Sequence, residues 1–191
     1  MTEKELISQV IVSLPDRTRR VLGYAQRIHG EQKRFGDDTQ LAHLYRCFLI
    51  LRDEIGDQDP DMLEAILLHD SIEDQPVTAE DIEHISNAIV ASLVEELTSP
   101  VEKIDDPLFL QKISRSSDKA KLLKLVDRLD NVRSSIPLKA VMPDFVKRYS
   151  DVTIEFFLPL AYTLDQQLAK LLQAAITDAK GEADADTRSD P

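Results

Sequence analysis

The sequence predicts an all-α single domain, and three observations carry that expectation. Apolar residues recur every three to four positions, and no stretch alternates apolar with polar for long. Five glycines and nine prolines in 191 residues leave few places for the turns that a sheet needs. The segment MLEAILLHDSIED, residues 62–74, is apolar nearly all round before its polar end, as expected of a helix at the centre of a core.

Element by element, a first short helix ends before Pro15, and a second starts near Asp16 with Val21, Leu22, Ala25 and Ile28 on one side and His29 at its end. Residues 35–39, Phe-Gly-Asp-Asp-Thr, read as a loop. A third helix carries Leu41, Leu44, Tyr45, Phe48 and Leu51 at helical spacing. Gly56 to Pro60 breaks it, and Asp59 with Pro60 form an N-cap and first-turn pair for the apolar helix that follows. Thr78 to Asp81 has the form of a capping signal for a short helix with Ile82 and Ile85. Ser86 or Asn87 then caps a helix bearing Ile89, Val90, Leu93, Val94 and Leu97. Thr98 to Asp118 is the longest poorly patterned stretch and is expected to be a flap or flexible loop. Lys119 to Ser134 is strongly helical, lined by Leu122, Val126, Leu129 and Val132 or Arg133. Phe145, Tyr149, Val152 and Phe156 make a further stripe, and a last helix is expected from Leu164 to Ile176. The domain is placed at residues 1–177, and 178–191, with five acids and two bases, is expected to be an acidic disordered tail.

Composition excludes several functions. Lys plus Arg number 23 against 35 Asp plus Glu, a net charge of −12, which disfavours nucleic-acid binding and polybasic membrane anchoring. No apolar run approaches the roughly 20 residues of a membrane-crossing helix. The N-terminus carries two Glu and one Lys, without the pattern of a secretory signal. One cysteine, Cys47, excludes an internal disulfide and fits a reducing, cytoplasmic setting; beside Phe48 it reads as a small buried hydrophobe.

Chemistry is concentrated in the histidines and the acids near them. His69-Asp70 closes the most apolar helix, where an ionisable group left unpaired costs several kcal/mol. Alone, such a dipeptide reads as a helix-end hydrogen bond. Three features point further: His43 on the preceding helix, Asp127 turned off the apolar stripe of LLKLVDRLDN, and Glu73 and Asp74, each four residues beyond His69 and Asp70. Four such groups on one strip repel as the acids ionise unless a cation neutralises them. Imidazole and carboxylate together suit Mn, Fe or Zn better than Mg or Ca.

The order His43, His69-Asp70, Asp127 resembles the HD superfamily of metal-dependent phosphohydrolases. LLHDSIEDQPVTAEDI with KLLKLVDRLDNVR is similar to the hydrolase domain of RelA/SpoT-type proteins and the small alarmone hydrolases, over about Ile28 to Gln167. His29 to Arg34 matches the family's opening segment, and Tyr149 to Leu160 its late helix. The resemblance implies a single HD-type helical bundle that releases pyrophosphate from the 3′ position of guanosine tetra- or pentaphosphate, usually with Mn2+, another divalent transition metal being compatible. It implies His43, His69, Asp70 and Asp127 as metal ligands. Glu73 is the candidate to orient or deprotonate the attacking water, and Asp74 supports it. Arg34 would pack on the guanine, Lys33 and Lys124 would meet phosphate, and Asn131 would hydrogen-bond substrate or water. His29 is expected to steady the nearby loop, and Arg46, Lys112, Lys121 and Arg128 are further sources of local positive charge. The partner expected is a phosphorylated nucleotide, not nucleic acid or membrane, with homo-oligomerisation left open.

Departures from the family pattern bear on the substrate. Phe35 stands where the family has Lys, Gln40 where it has Tyr, Leu44 where it has Pro, and Asp130 where it has the His of Arg-Leu-His-Asn. Two alternatives follow: the same chemistry on a nucleoside monophosphate or the 2′-phosphate of NADPH, or a helical interaction module without activity.

Overall fold

The computed structural model describes residues 3–11, 14–99 and 106–181. Twelve α-helices make up these residues, with no strand among them beyond a lone antiparallel bridge between Lys33 and Thr39. The all-α expectation holds. The chain divides into two compact units, Met1–Asp127 and Arg128–Pro191.

The first unit contains α1 (Glu3–Ile11), α2 (Asp16–His29), α3 (Gln40–Leu49), α4 (Pro60–Leu68), α5 (Ser71–Asp74), α6 (Ala79–Ile85), α7 (Ala88–Leu97), α8 (Pro107–Arg115) and the first part of α9 (Asp118–Ser135). Helix α4 is central: α2, α3 and α7 all pack on it, and every residue from Met62 to Leu68 is buried. Each Leu or Ile so buried contributes about 1.5–3 kcal/mol relative to exposure. Its start is local chemistry, with the Asp59 carboxylate accepting from the Asp61 N–H at 3.0 Å and Pro60 in the first turn. Thr78 and Asp81 form a reciprocal capping box at α6, and Asn87 caps α7 through the N–H groups of Ile89 and Val90. Helix α3 does not stop at Leu49 but widens into a π-helical turn, Ile50–Ile55, closed by Gly56 in the left-handed conformation at φ 84°.

A buried polar network ties three of these helices. Glu64, fully buried on α4, accepts from Arg17 Nε (2.9 Å) and Thr18 Oγ1 (2.8 Å) of α2 and from Ser86 Oγ (2.5 Å) beyond α6. Arg17 also pairs with Asp61 at 2.6 Å, and that carboxylate accepts from Asn87 Nδ2. A charge in so apolar a helix is tolerated because its oxygens are satisfied.

The second unit holds the rest of α9, a 3₁₀ turn (Ile136–Ala140), α10 (Pro143–Val152), a π-helical turn (Thr153–Phe157), α11 (Leu158–Leu164) and α12 (Gln166–Lys180). α12 packs on α10 and α11. Arg128 is buried here with its guanidinium 4.3 Å from the Tyr149 ring centroid and 3.9 Å from that of Phe157.

Four expectations need correction. The stretch 98–118 is not a loop throughout: Asp106 caps α8, which buries Phe109 and Ile113; residues 100–105 lie outside those described. The helix through His69-Asp70 breaks at those residues, so Glu73 and Asp74 belong to α5. On α10 and the turn after it the buried line is Val146, Ser150, Thr153 and Phe157, one position on from the expected stripe, because the hydroxyls of Ser150 and Thr153 bond to the carbonyls of Val146 and Tyr149 and can be buried. The last helix, expected from Leu164 to Ile176, is α12: the Asp165 side chain caps it, and it runs on to Lys180. The acidic tail expected from residue 178 therefore starts inside a helix, and 182–191 lie outside the described residues.

Candidate metal centre

Three pieces of the first unit bring the site together. Helix α3, capped by the Thr39 hydroxyl on the Ala42 N–H at 3.1 Å, buries His43. The end of α4 and the turn after it present His69 and Asp70. Asp127 comes from α9.

The side chains at 43, 69, 70 and 127 converge. His43 Nε2 lies 3.3 Å from His69 Nε2, 3.3 Å from Asp127 Oδ1 and 3.7 Å from Asp70 Oδ2. His69 Nε2 lies 3.1 Å from Asp70 Oδ1 and 3.6 Å from Asp127 Oδ1. Both imidazoles are buried, and the Asp70 and Asp127 side chains keep 20% and 7% of their surface. His69 Nδ1 donates to the Ile66 carbonyl at 2.9 Å, which fixes the ring and turns Nε2 to the cluster.

Charge balance is tight. Burial lowers the His69 pKa, but the carboxylates of Asp70 and Asp127 outweigh it and raise it to about 10. Burial raises the pKa of Asp70 and His69 pulls it down, with a net fall. Asp127 is likewise held well below the ordinary range: burial is outweighed by Lys124 and the two imidazoles. Lys124, itself largely buried, pairs with Asp127 Oδ2 at 2.9 Å and stands over Phe109, and despite burial its pKa is raised by Asp127 and the other nearby acids. Two imidazole nitrogens and two carboxylates within a few ångströms are a donor set that fits a first-row divalent cation.

The acids beyond the turn stand at its edge. Glu73 is exposed as a residue, yet crowding of its carboxyl raises its pKa, opposed by Lys124 and by the Ser99 N–H, which it accepts. Asp74 accepts from Gln32 Nε2 at 2.8 Å. Gln32 Oε1 in turn accepts from Gln75 Nε2 (2.7 Å) and from His29 Nδ1 (2.9 Å), so His29 steadies the loop. The loop 33–39 is itself held: the Arg34 N–H donates to the Asp38 carbonyl, Arg46 grips the Asp38 carboxylate at 2.9 and 2.8 Å, and Gly36 turns the tip at φ 63°. Lys33 and Phe35 are exposed on that loop and Arg34 is half-buried. Asn131 is half-buried in the second unit.

Several cations have other work. Arg128 is packed between aromatic rings, Lys112 donates to the carbonyls of Glu95 and Thr98, Lys121 pairs with Asp118, and Arg46 serves Asp38. Sequence reasoning missed Gln40, whose amide Nε2 donates to Asp70 Oδ2 at 2.5 Å. Amides carry neither charge nor periodicity, and only the departure from Tyr at that position marked it.

The family model described as "HD domain" matches residues 22–167. The chain belongs to the HD-domain family. Among relatives of this HD-domain chain, a Brucella ovis protein named GTP pyrophosphokinase rsh is 31% identical over 183 residues, 87% of this chain and 23% of that protein. The Drosophila melanogaster guanosine-3′,5′-bis(diphosphate) 3′-pyrophosphohydrolase MESH1 is 36% identical over 117 residues, 59% of this chain and 65% of its own. A solved structure described as "A metazoan ortholog of SpoT hydrolyzes ppGpp and plays a role in starvation responses" superposes with a TM-score of 0.75 at 25% identity, over 89% of this chain and 98% of that one. The chain spans about a quarter of the length of the Brucella relatives. No helix among the described residues is long and apolar enough to cross a membrane.

Proposed function

We propose that this HD domain hydrolyses guanosine tetra- or pentaphosphate at the 3′ position and releases pyrophosphate. The observation that carries the reading is the convergence of His43, His69, Asp70 and Asp127 at 3.1–3.7 Å. The named activities of MESH1 and of the SpoT ortholog favour this substrate over other nucleotides.

His43, His69, Asp70 and Asp127 would hold the divalent cation, for which we propose Mn2+. When bound, such an ion acts as a Lewis acid and lowers the pKa of water. Glu73, whose carboxyl burial pushes above its ordinary value, is the group to orient and deprotonate the attacking water. Asp74, fixed by Gln32, supports it from the same short helix. Lys124 neutralises Asp127 and adds positive charge where phosphate oxygens arrive. On the rigid 33–39 loop, Arg34 offers a planar guanidinium to the base and Lys33 a charge to phosphate; Asn131 is proposed as a hydrogen-bond donor to substrate. The reaction is expected to take place in the cytoplasm.

The test offers the purified protein with Mn2+ three substrates: guanosine tetraphosphate, NADPH and a panel of nucleoside monophosphates, with Asp70→Ala as control. Pyrophosphate from the first compound, absent in the variant, is expected. Orthophosphate from another compound overturns the substrate; no product from any of them overturns the enzyme reading in favour of an interaction module.

A further inference from the structure

We infer that Gln40 is a positioning residue for the metal centre: its amide fixes the Asp70 carboxylate so that it faces the cluster. The inference rests on the metal reading above, and it concerns how one ligand is held.

Asp70 is the residue that precedes α5, where an Asp ordinarily turns its carboxylate onto the free N–H groups of the first turn. Here it makes no such cap. Its two oxygens are used elsewhere: Oδ2 accepts from Gln40 Nε2 at 2.5 Å, and Oδ1 faces His69 Nε2 at 3.1 Å. With φ −95° and ψ 1°, Asp70 lacks the extended backbone of the capping residues Thr39, Thr78 and Asn87, so the turn itself does not hold its carboxylate, and the Gln40 amide does.

Gln40 is built to be that donor. It is the first residue of α3 and only 3% exposed. Its backbone N–H donates to the Gln32 carbonyl at 2.9 Å, and the neighbouring Thr39 caps the helix, so the amide starts from a fixed backbone. The shell around a metal ligand commonly fixes its orientation in this way. Gln40 faces Asp70, so the departure from the family's Tyr at this position concerns the carboxylate it holds.

The loop does not depend on this one bond. Gln32 separately ties it to Asp74 and Gln75, so removal of the Gln40 amide is expected to leave the fold in place. The Asp70 carboxylate then loses its amide donor and is free to turn away from the cluster.

The experiment measures Mn2+ affinity without substrate, from the electron paramagnetic resonance of free Mn2+, in the wild type, Gln40→Leu, Gln40→Met and Asp70→Asn. Thermal midpoints of the metal-free proteins are recorded alongside. Both Gln40 variants are expected to bind Mn2+ about 10–100-fold more weakly, with metal-free midpoints unchanged. Unchanged affinity in both Gln40 variants, with affinity lost in Asp70→Asn, overturns the inference and leaves the metal reading standing. A metal-free midpoint that falls together with affinity overturns it too, since that marks a packing role. Unchanged affinity in Asp70→Asn overturns the metal reading itself.

Discussion

Lys124 Nζ lies 2.9 Å from Oδ2 of Asp127, while Oδ1 of the same carboxylate faces the imidazoles of His43 and His69. One buried carboxylate is therefore shared between a fixed cation and the candidate metal cluster. Lys124→Met removes the fixed cation and leaves the acids with only the imidazoles to balance them. The metal-free variant should lose about 3 kcal/mol in a denaturant titration, as when one partner of a buried pair is deleted. Lys124→Arg should recover much of that loss.

Arg17 is a second such case, at a distance from the chemistry. Its guanidinium serves both Glu64 and Asp61, and Glu64 has no exposed surface. In Arg17→Ala, Thr18 and Ser86 still donate to Glu64 but its charge has no counterion. A loss of about 2 kcal/mol, the size of hydrogen bonds to a charged group, is expected from chemical denaturation, with metal affinity unchanged.

The grip of Arg46 on Asp38 is a prediction about substrate. It holds the loop that presents Lys33, Arg34 and Phe35. Arg46→Ala should raise KM for guanosine tetraphosphate several-fold with little change in kcat, because on the proposed reading the loop carries the base and phosphate contacts, while the acids of the cluster are held by other residues. Steady-state kinetics separate the two. Its cost in stability is small, about 1 kcal/mol or less for a half-exposed pair.

Asp59 supplies a pH dependence. Lys119, bonded to its carboxylate at 2.6 Å, and the N–H groups at the start of α4 hold its pKa below 3.8 despite partial burial. A depressed carboxylate pKa stabilises the fold above the unfolded value, and that contribution is lost as pH falls through the folded one. Asp59→Ala should therefore cost about 1 kcal/mol near neutral pH, and its difference from wild type should shrink as the titration moves below pH 3.8. Thermal midpoints across that range check the sign.

The parts of this molecule that were legible in the sequence are those governed by neighbours in the chain. The caps at Asp59, Thr78 and Asn87 lie where their residue types put them, and the all-apolar run after Met62 lies at the centre of the first unit. The four candidate ligands that the family resemblance implied, drawn from three helices and one turn, lie together in the structure. Helix α8 was not legible because it buries only Phe109 and Ile113, too few for a period. The offset on α10 arose because Ser150 and Thr153 satisfy their hydroxyls within the helix and so pass as apolar. Gln32 and Gln40 were missed as organisers because a hydrogen bond between side chains far apart in sequence leaves no local trace.

The interruption between α4 and α5 has a consequence for any attempt to move this chemistry elsewhere. On an unbroken helix adjacent side chains diverge by roughly 100° around the axis, so a neighbouring imidazole and carboxylate would look toward different partners. Here α4 ends at Leu68 and α5 starts at Ser71, and in the turn between them the imidazole and the carboxylate meet at 3.1 Å. Grafted onto a straight helical host, the two letters alone would carry none of this; the turn has to travel with them.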